Sequence, residues 1–150
     1  GIEGSLRFVT RVIDFFSDVK AGKTSDKLSH KINKTIKDAT NDIENFRYNL
    51  ALIKLRALVE SFESSVSKKD LESFLKIFSV FCPHISEELW EKIGGKGFVS
   101  LAEWPKCDEK KINENFDRAE EAIKKIYAWL DTDIESYRIG QEIKKKFEQK

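Results

Sequence analysis

Between Leu28 and Phe46 the apolar residues Leu28, Ile32, Ile36, Ala39, Ile43 and Phe46 follow one another at spacings of four, four, three, four and three. That rhythm places all six on one side of an α-helix; on a strand, side chains alternate between faces with a period of two. The spacing predicts a helix from about Lys27 to Asn45, with Ser25 or Asp26 at its start to accept from the free amides of the first turn. A helix with one apolar face needs partners, so the rest of the chain must supply other rods.

It does. Ile2 to about Val19 carries Ile2, Leu6, Val9, Ile13 and Phe16 at helical spacing, widened by Val12, Phe15 and Val19. Glu3, Arg7, Arg11, Asp14 and Asp18 fall opposite, and Gly22 to Ser25 reads as a turn. A third helix spans about Arg47 to Phe62, with Tyr48, Leu52, Leu55, Val59 and Phe62 as its core stripe. Leu50, Ile53 and Leu58 carry apolar surface nearly all the way round, which predicts a central position. Periodicity leaves open whether the chain bends at Asn45-Phe46 or runs straight through.

Ser67 with Asp70 three residues on forms a capping box ahead of Leu71, Phe74, Leu75, Phe78 and Phe81. Pro83 has no amide hydrogen and disfavours helix at Cys82, so the helix breaks and restarts there. The restarted helix buries Ile85, Leu89 and Ile93, and Phe98 to Leu101 reads as a short extended segment. Asn113 caps a helix carrying Phe116, Ala119, Ile123, Ile126 and Leu130. Thr132 and Glu135 form another capping box, opening a last helix through Phe147 that Gly140 weakens by about 1 kcal/mol relative to Ala. The sum is an all-α helical bundle with a less tightly packed C-terminal arm.

The charge pattern narrows function. Lysine and arginine total 27 against 26 acids, so the net charge is +1. This excludes a strongly basic nucleic-acid protein and leaves only a local basic face to meet RNA. No apolar run reaches the roughly 20 residues that span a bilayer, and no signal-peptide pattern opens the chain. Cys82 and Cys107 lack metal-type spacing, which points to free thiols in a reducing compartment such as the cytoplasm. His84 beside Cys82 makes too small a donor set for zinc and reads as a hydrogen-bonding group at the helix restart. Glu87-Glu88 and Glu120-Glu121 lie on helix surfaces and do not oppose each other as catalytic carboxylates do. Gly1 stands where an initiator Met would, and there is no Met anywhere, which suggests a piece of a longer polypeptide.

One stretch is more specific. Phe81-Cys82-Pro83-His84-Ile85-Ser86-Glu87-Glu88-Leu89-Trp90, then Gly94-Gly95, then Ser100-Leu101-Ala102-Glu103-Trp104-Pro105 resembles the anticodon-binding helical domain of class I aminoacyl-tRNA synthetases of the leucine/isoleucine/valine/methionine subgroup. Gly1-Ile2-Glu3-Gly4 with Arg7-Phe8-Val9 and Arg11-Val12, together with Thr35 to Glu44, is similar to the leucyl members. Phe46-Arg47-Tyr48-Asn49-Leu50-Ala51 resembles their Arg-Phe-Asn-Thr-Ala element. The likeness covers residues 1–109, read as the bundle; residues 110–150 read as a helical extension.

The resemblance implies a domain without catalytic or metal site, docked beside the catalytic domain of the same polypeptide and laid along tRNA. ATP with magnesium would serve that other domain, since the His-Ile-Gly-His and Lys-Met-Ser-Lys-Ser signatures and any Gly-rich phosphate loop are absent from the sequence. Leucyl members generally do not read the anticodon closely, so contact with the RNA backbone is the expectation. Lys27, Lys31 and Lys34 recur with Lys23 on about one face, with Lys37 beside it, and could neutralise phosphates. Arg7 and Arg11, one helical turn apart, could grip phosphate with two hydrogen bonds each. Arg47 and Asn49 at a helix end could meet backbone or a base edge. Each group also has a bland alternative: a solvated helix face, local ion pairs of some tenths of a kcal/mol with Glu3 or Asp14, and pairing of Arg47 with Asp42 or Glu44. Trp90, Trp104 and Trp129 read as packing residues, and Lys144-Lys145-Lys146 as solvated. Two other readings stay open: the same domain with isoleucine, valine or methionine specificity, and a helical protein-binding module without RNA.

Overall fold

A computed structural model describes residues 2–148, and the side chains of 2–132, 135, 138 and 139. The chain divides after Ile112 into two units. The first holds five helices: α1 (Ile2–Asp18), α2 (Asp26–Glu44), α3 (Tyr48–Glu60), α4 (Lys68–Phe78) and α5 (Pro83–Lys92). The second is one long helix, α6 (Glu114–Glu148).

The expected caps form. Ser25 Oγ accepts from the Leu28 amide at 3.2 Å and starts α2. Ser67 Oγ accepts from the Asp70 amide at 3.2 Å and caps α4, but the reciprocal half of the box is replaced: the Ser67 amide donates to Thr24 Oγ1 at 2.8 Å, and the Asp70 carboxylate accepts from the hydroxyls of Ser67 and Thr24. Pro83 sits in the first turn of α5, where its missing amide hydrogen leaves no intrahelical bond unmade. The restart at Cys82 uses no side-chain cap, and the exposed His84 takes no part in it.

The central rod is α2, not α3. It buries Leu28, Ile32, Ile36 and Ala39, and with them Ser29, His30, Asn33 and Asp42. It packs on α3 and α4 and meets the 3-10 turn Glu109–Lys111. The helix α3 buries Ala51, Leu55, Leu58 and Val59 but leaves Tyr48, Leu50 and Ile53 exposed. The apolar girdle of α3 is therefore only half used within this unit.

In α1 the buried face is rotated from the expected one. Phe8, Val12 and Phe16 are inside, while Ile2, Leu6 and Ile13 face solvent. Burying rings removes more apolar area than burying aliphatic side chains, and the core is a ladder of rings. Phe74 of α4 stacks on Phe16 at 6.0 Å and on Phe78 at 5.5 Å, and meets Phe62 edge-on at 5.2 Å. Phe8 stands edge-on to Phe78 at 5.7 Å.

The chain does bend between α2 and α3, and Phe46, the last residue of the α2 rhythm, is 81% exposed. Its φ is +57°, a left-handed conformation that is unusual for a bulky residue. The Arg47 amide donates to the Asp42 carbonyl at 2.7 Å and closes the turn. The buried Asp42 carboxylate holds both Arg47 Nε, at 3.0 Å, and Lys54 Nζ. The Lys54 ammonium, then Arg47, hold that carboxyl below the usual range against the opposing effect of burial.

Two features were absent from the sequence reading or differ from it. Lys20–Ala21 and Ser65–Val66 form a parallel two-residue pair, Lys20 beside Ser65 and Ala21 beside Val66. It ties the α1–α2 link to the α3–α4 link. The segment read as extended at 98–101 is a 3-10 turn over Val99–Leu101, with extended residues only at Phe98 and Ala102. Glu87 explains the turn: its carboxylate accepts from the amides of Val99 and Ser100 and from the Ser100 hydroxyl, at 2.8, 3.1 and 2.8 Å. Burial raises the Glu87 pKa, but these three donors outweigh it and hold the group below the ordinary value.

A pH dependence follows. With the folded pKa depressed, the stability from Glu87 is complete above the ordinary value of about 4.3 and is lost as pH falls through the lower folded one. The protection factors of the Val99 and Ser100 amides, corrected for intrinsic exchange, should therefore fall once pH drops below the ordinary carboxylate value of about 4.3, and in Glu87→Gln they should lose most of that dependence. Equal protection of both amides at pH 3 and pH 6 would contradict the assignment.

In the second unit, Asn113 Oδ1 accepts from the Asn115 amide at 3.0 Å and opens α6 as expected. The break expected at Thr132 does not occur. The Thr132 hydroxyl donates back to the Ala128 carbonyl at 2.8 Å, as threonine does inside a helix, and α6 runs on for 35 residues in all. Ile123, Ile126, Tyr127 and Trp129 are exposed along it. The side chains of Lys144, Lys145, Lys146 and Phe147 lie outside the described residues, and so do the surroundings of Gly140.

Candidate nucleic-acid interface

Six of the eight residues singled out in the sequence fall into two groups, with Lys34 and Lys37 between them along α2. The helix α2 has 19 residues, so at 1.5 Å per residue its ends are about 28 Å apart. The end of α3 lies near the start of α2, where Lys31 Nζ reaches Ser61 Oγ at 3.2 Å. The start of α3 lies near the end of α2, where Lys54 meets Asp42. Arg7, Arg11, Lys27 and Lys31 belong to the first end; Arg47 and Asn49 belong to the second.

At the first end the cations line two neighbouring clefts. Gly4, Arg7, Phe8, Arg11, Arg56 and Glu60 surround one of about 220 Å³. Lys27, Leu28, Lys31, Glu60, Ser61 and Glu63 surround the other, of about 260 Å³. Glu60 is common to both, so five cations from three helices form one strip around it. Arg11 Nη1 donates to Glu60 at 3.0 Å, and Arg7 lies 3.8 Å from Glu3. Both pairs are well exposed, which makes them weak and exchangeable. Glu63 already accepts from the Ser25 hydroxyl at 2.7 Å.

Arg56 was missed in the sequence. It lies 45 or more residues from Arg7 and Arg11, and no helical spacing connects them. Its Nη2 donates to Ser5 Oγ at 3.2 Å, and its guanidinium lies 5.4 Å from the centre of the Phe8 ring, within cation–π range.

The remaining candidates stand apart. Lys34 is half-buried on α2. Lys37 donates to Glu109 at 3.0 Å, and this hydrogen bond and charge raise its pKa above the ordinary lysine value. Arg47 is engaged by Asp42, as its bland alternative had it. The Asn49 side chain is exposed. It shares the turn with Phe46 and Tyr48, whose rings meet edge-on at 6.3 Å.

The tryptophans divide. Trp90 is buried, with Nε1 3.4 Å from the Lys96 carbonyl. Trp104 is 37% exposed, yet its Nε1 donates to Thr40 Oγ1 at 2.9 Å, and the following Pro105 is buried. That contact pins the 102–108 loop to α2, helped by the Asp108 amide, which donates to Asn33 Oδ1 at 2.8 Å. Trp129 is exposed on α6. Burial raises the pKa of both thiols, Cys82 and Cys107. Among the described residues no group of three His, Cys, Asp or Glu side chains could hold a metal ion, and no helix is long and apolar enough to cross a membrane.

Comparison with known proteins gives a consistent picture. The family model described as the anticodon-binding domain of tRNA ligase matches residues 26–150. The match thus continues through the tail, beyond the motifs that end at 109. A leucine–tRNA ligase of Mycoplasma mycoides subsp. mycoides is 35% identical over 120 residues, covering 77% of this chain and 15% of that protein. One from Pyrococcus horikoshii is 34% identical over 125 residues, covering 73% and 13%. One from Caldanaerobacter subterraneus subsp. tengcongensis is 30% identical over 186 residues, covering 97% and 23%. The chain therefore spans less than a quarter of the length of these relatives.

Proposed function

The chain belongs to the anticodon-binding domain family of tRNA ligases, and from that premise we propose that it docks tRNA for a leucyl-type ligase, holding the sugar-phosphate backbone across the strip of Arg7, Arg11, Lys27, Lys31 and Arg56. Leucine rests on the names of the relatives. The parent polypeptide then joins leucine to its tRNA with ATP and magnesium in its catalytic domain, in the cytoplasm. The sequence has no Gly-rich phosphate loop, and among the described residues no group of three His, Cys, Asp or Glu side chains could hold a metal ion. The chain's part is positioning.

The convergence of five cations from α1, α2 and α3 around Glu60 carries this reading. A nearly neutral protein meets a polyanion through such a local field. Each phosphate neutralised releases condensed counterions and adds about −0.7 to −0.9 to the slope of log K against log salt. With Glu60 and Glu63 offsetting part of the strip, a slope of about −3 is expected. Binding of the chain to a leucine tRNA transcript, followed by fluorescence anisotropy from 50 to 200 mM salt, measures it. No binding at 50 mM, or binding indifferent to salt, would remove the reading.

The far end supports a smaller role. Lys37 and Arg47 are held in intramolecular ion pairs, and RNA must compete with Glu109 or Asp42 for them.

A further inference from the structure

We infer that the cleft between α1 and α3 is a seat for a single phosphodiester group of RNA, gripped by the guanidinium groups of Arg7, Arg11 and Arg56. The inference rests on the RNA-docking reading and makes it specific: one shaped site within a broader positive strip.

Three guanidinium groups line a cleft of about 220 Å³ that contains one carboxylate, Glu60. Guanidinium forks match the oxygens of a phosphate in a way that a lysine ammonium does not. Whereas Arg7 and Arg11 meet exposed carboxylates, Arg56 is held by an aromatic ring and a hydroxyl. The Phe8 ring supports it on one side, and Ser5 Oγ accepts from one of its terminal nitrogens at 3.2 Å. Its Nε–H is sealed from solvent and has no acceptor. A buried donor without an acceptor is uncommon in folded proteins and asks for an explanation. An oxyanion entering the cleft supplies that acceptor after a small shift of the side chain. Gly4 keeps the wall low, since a side chain there would begin 4.0 Å from Arg56 Nη1.

In the free chain Glu60 occupies Arg11 at 3.0 Å. Phosphate and Glu60 therefore compete for the same guanidinium, and this sets the sign of one test. Glu60→Gln should tighten tRNA binding about threefold at 100 mM salt by releasing Arg11. Arg56→Lys keeps the charge but loses the planar fork. It should weaken binding about five- to tenfold, nearly as much as Arg56→Gln.

The experiment measures tRNA affinity of the chain and these three variants by anisotropy, with thermal melts to confirm folding. A parallel titration with inorganic phosphate follows the arginine Nε–H resonances by NMR. The seat predicts that the Arg56 signal shifts with phosphate and that the shift is lost in Arg7→Gln/Arg11→Gln. If the wild-type chain binds tRNA and Arg56→Lys binds equally well, the strip is a diffuse field and the seat is wrong. If Arg56→Lys fails to fold, a Glu60→Gln affinity no higher than wild type overturns it equally. If the wild-type chain binds no tRNA, the broader docking reading falls first. Binding of polyglutamate with the same Arg56 dependence, in place of tRNA, would assign the cleft to an acidic protein segment and overturn the proposal.

Discussion

Phe74→Ala is expected to lower the free energy of unfolding by about 3–5 kcal/mol, the usual cost of emptying a closed aromatic site. Phe74 is 1% exposed, and its ring contacts Phe16, Phe62 and Phe78. Those rings come from α1, from the link just after α3 and from α4, so no single element can collapse to fill the void. Domains of this size have about 5–15 kcal/mol in total, so one substitution removes a large share. Urea unfolding followed by circular dichroism should show the midpoint falling with little change in slope. Ile53→Ala, on the open face of α3, should stay within about 0.5 kcal/mol. A Phe74→Ala loss below about 1 kcal/mol would mean that the ring ladder does not bind these elements together. The proposed docking strip depends on the same contact. Phe74 fixes α1 against α3, and that placement brings Arg7 and Arg11 to Arg56.

What could be read in the sequence follows from how one-sided each element is. The α2 rhythm has one apolar face, and its buried apolar residues Leu28, Ile32, Ile36 and Ala39 were legible one by one, but the buried polar residues Ser29, His30 and Asn33 were not. The periodicity ran on through Phe46, and nothing in it showed that Asp42 would be buried beneath a left-handed turn, held to Arg47 and Lys54. The helix α1 carries apolar residues round much of its circumference; spacing placed Ile2, Leu6 and Ile13 on one stripe with Phe16, whereas the buried face is Phe8, Val12 and Phe16. Thr132 shows another limit: the same hydroxyl can cap a new helix or bond back to the carbonyl four residues earlier, and only the backbone tells which.

The candidate interface was half visible. Arg7 with Arg11 and Lys27 with Lys31 are pairs one helical turn apart, so each pair shares a face. That the two faces adjoin depends on α1, α2 and α3 meeting near Glu60, which no local pattern encodes. Lys37 looked equivalent to its neighbours in sequence, but its partner Glu109 is 72 residues away. Arg56 was invisible for the same reason.

Exchanging Arg7, Arg11, Lys27 and Lys31 together for glutamine is expected to reduce tRNA affinity about 100-fold at 50 mM salt and to flatten the salt slope by about 2, leaving the share of Arg56. Each of the four is at least partly exposed, and glutamine keeps length and helix propensity, so the fold should survive. Lys31 contributes least, because Ser61 already holds its ammonium. Removing Arg11 also frees Glu60, which then repels the backbone and deepens the loss. The control takes the same kind of charge from elsewhere. Lys37→Gln with Lys106→Gln removes two exposed cations, paired with Glu109 and Glu103, and should change affinity less than about threefold. Net charge alone would make the loss per charge equal in the two sets, since each cation would act only through the overall field. A strip makes it unequal, because counterions are released where cation and phosphate meet and the field decays over about 10 Å at 0.1 M salt. Equal loss per charge in the two sets, or an unchanged slope in the fourfold variant, would show that the strip around Glu60 is not where the RNA lies.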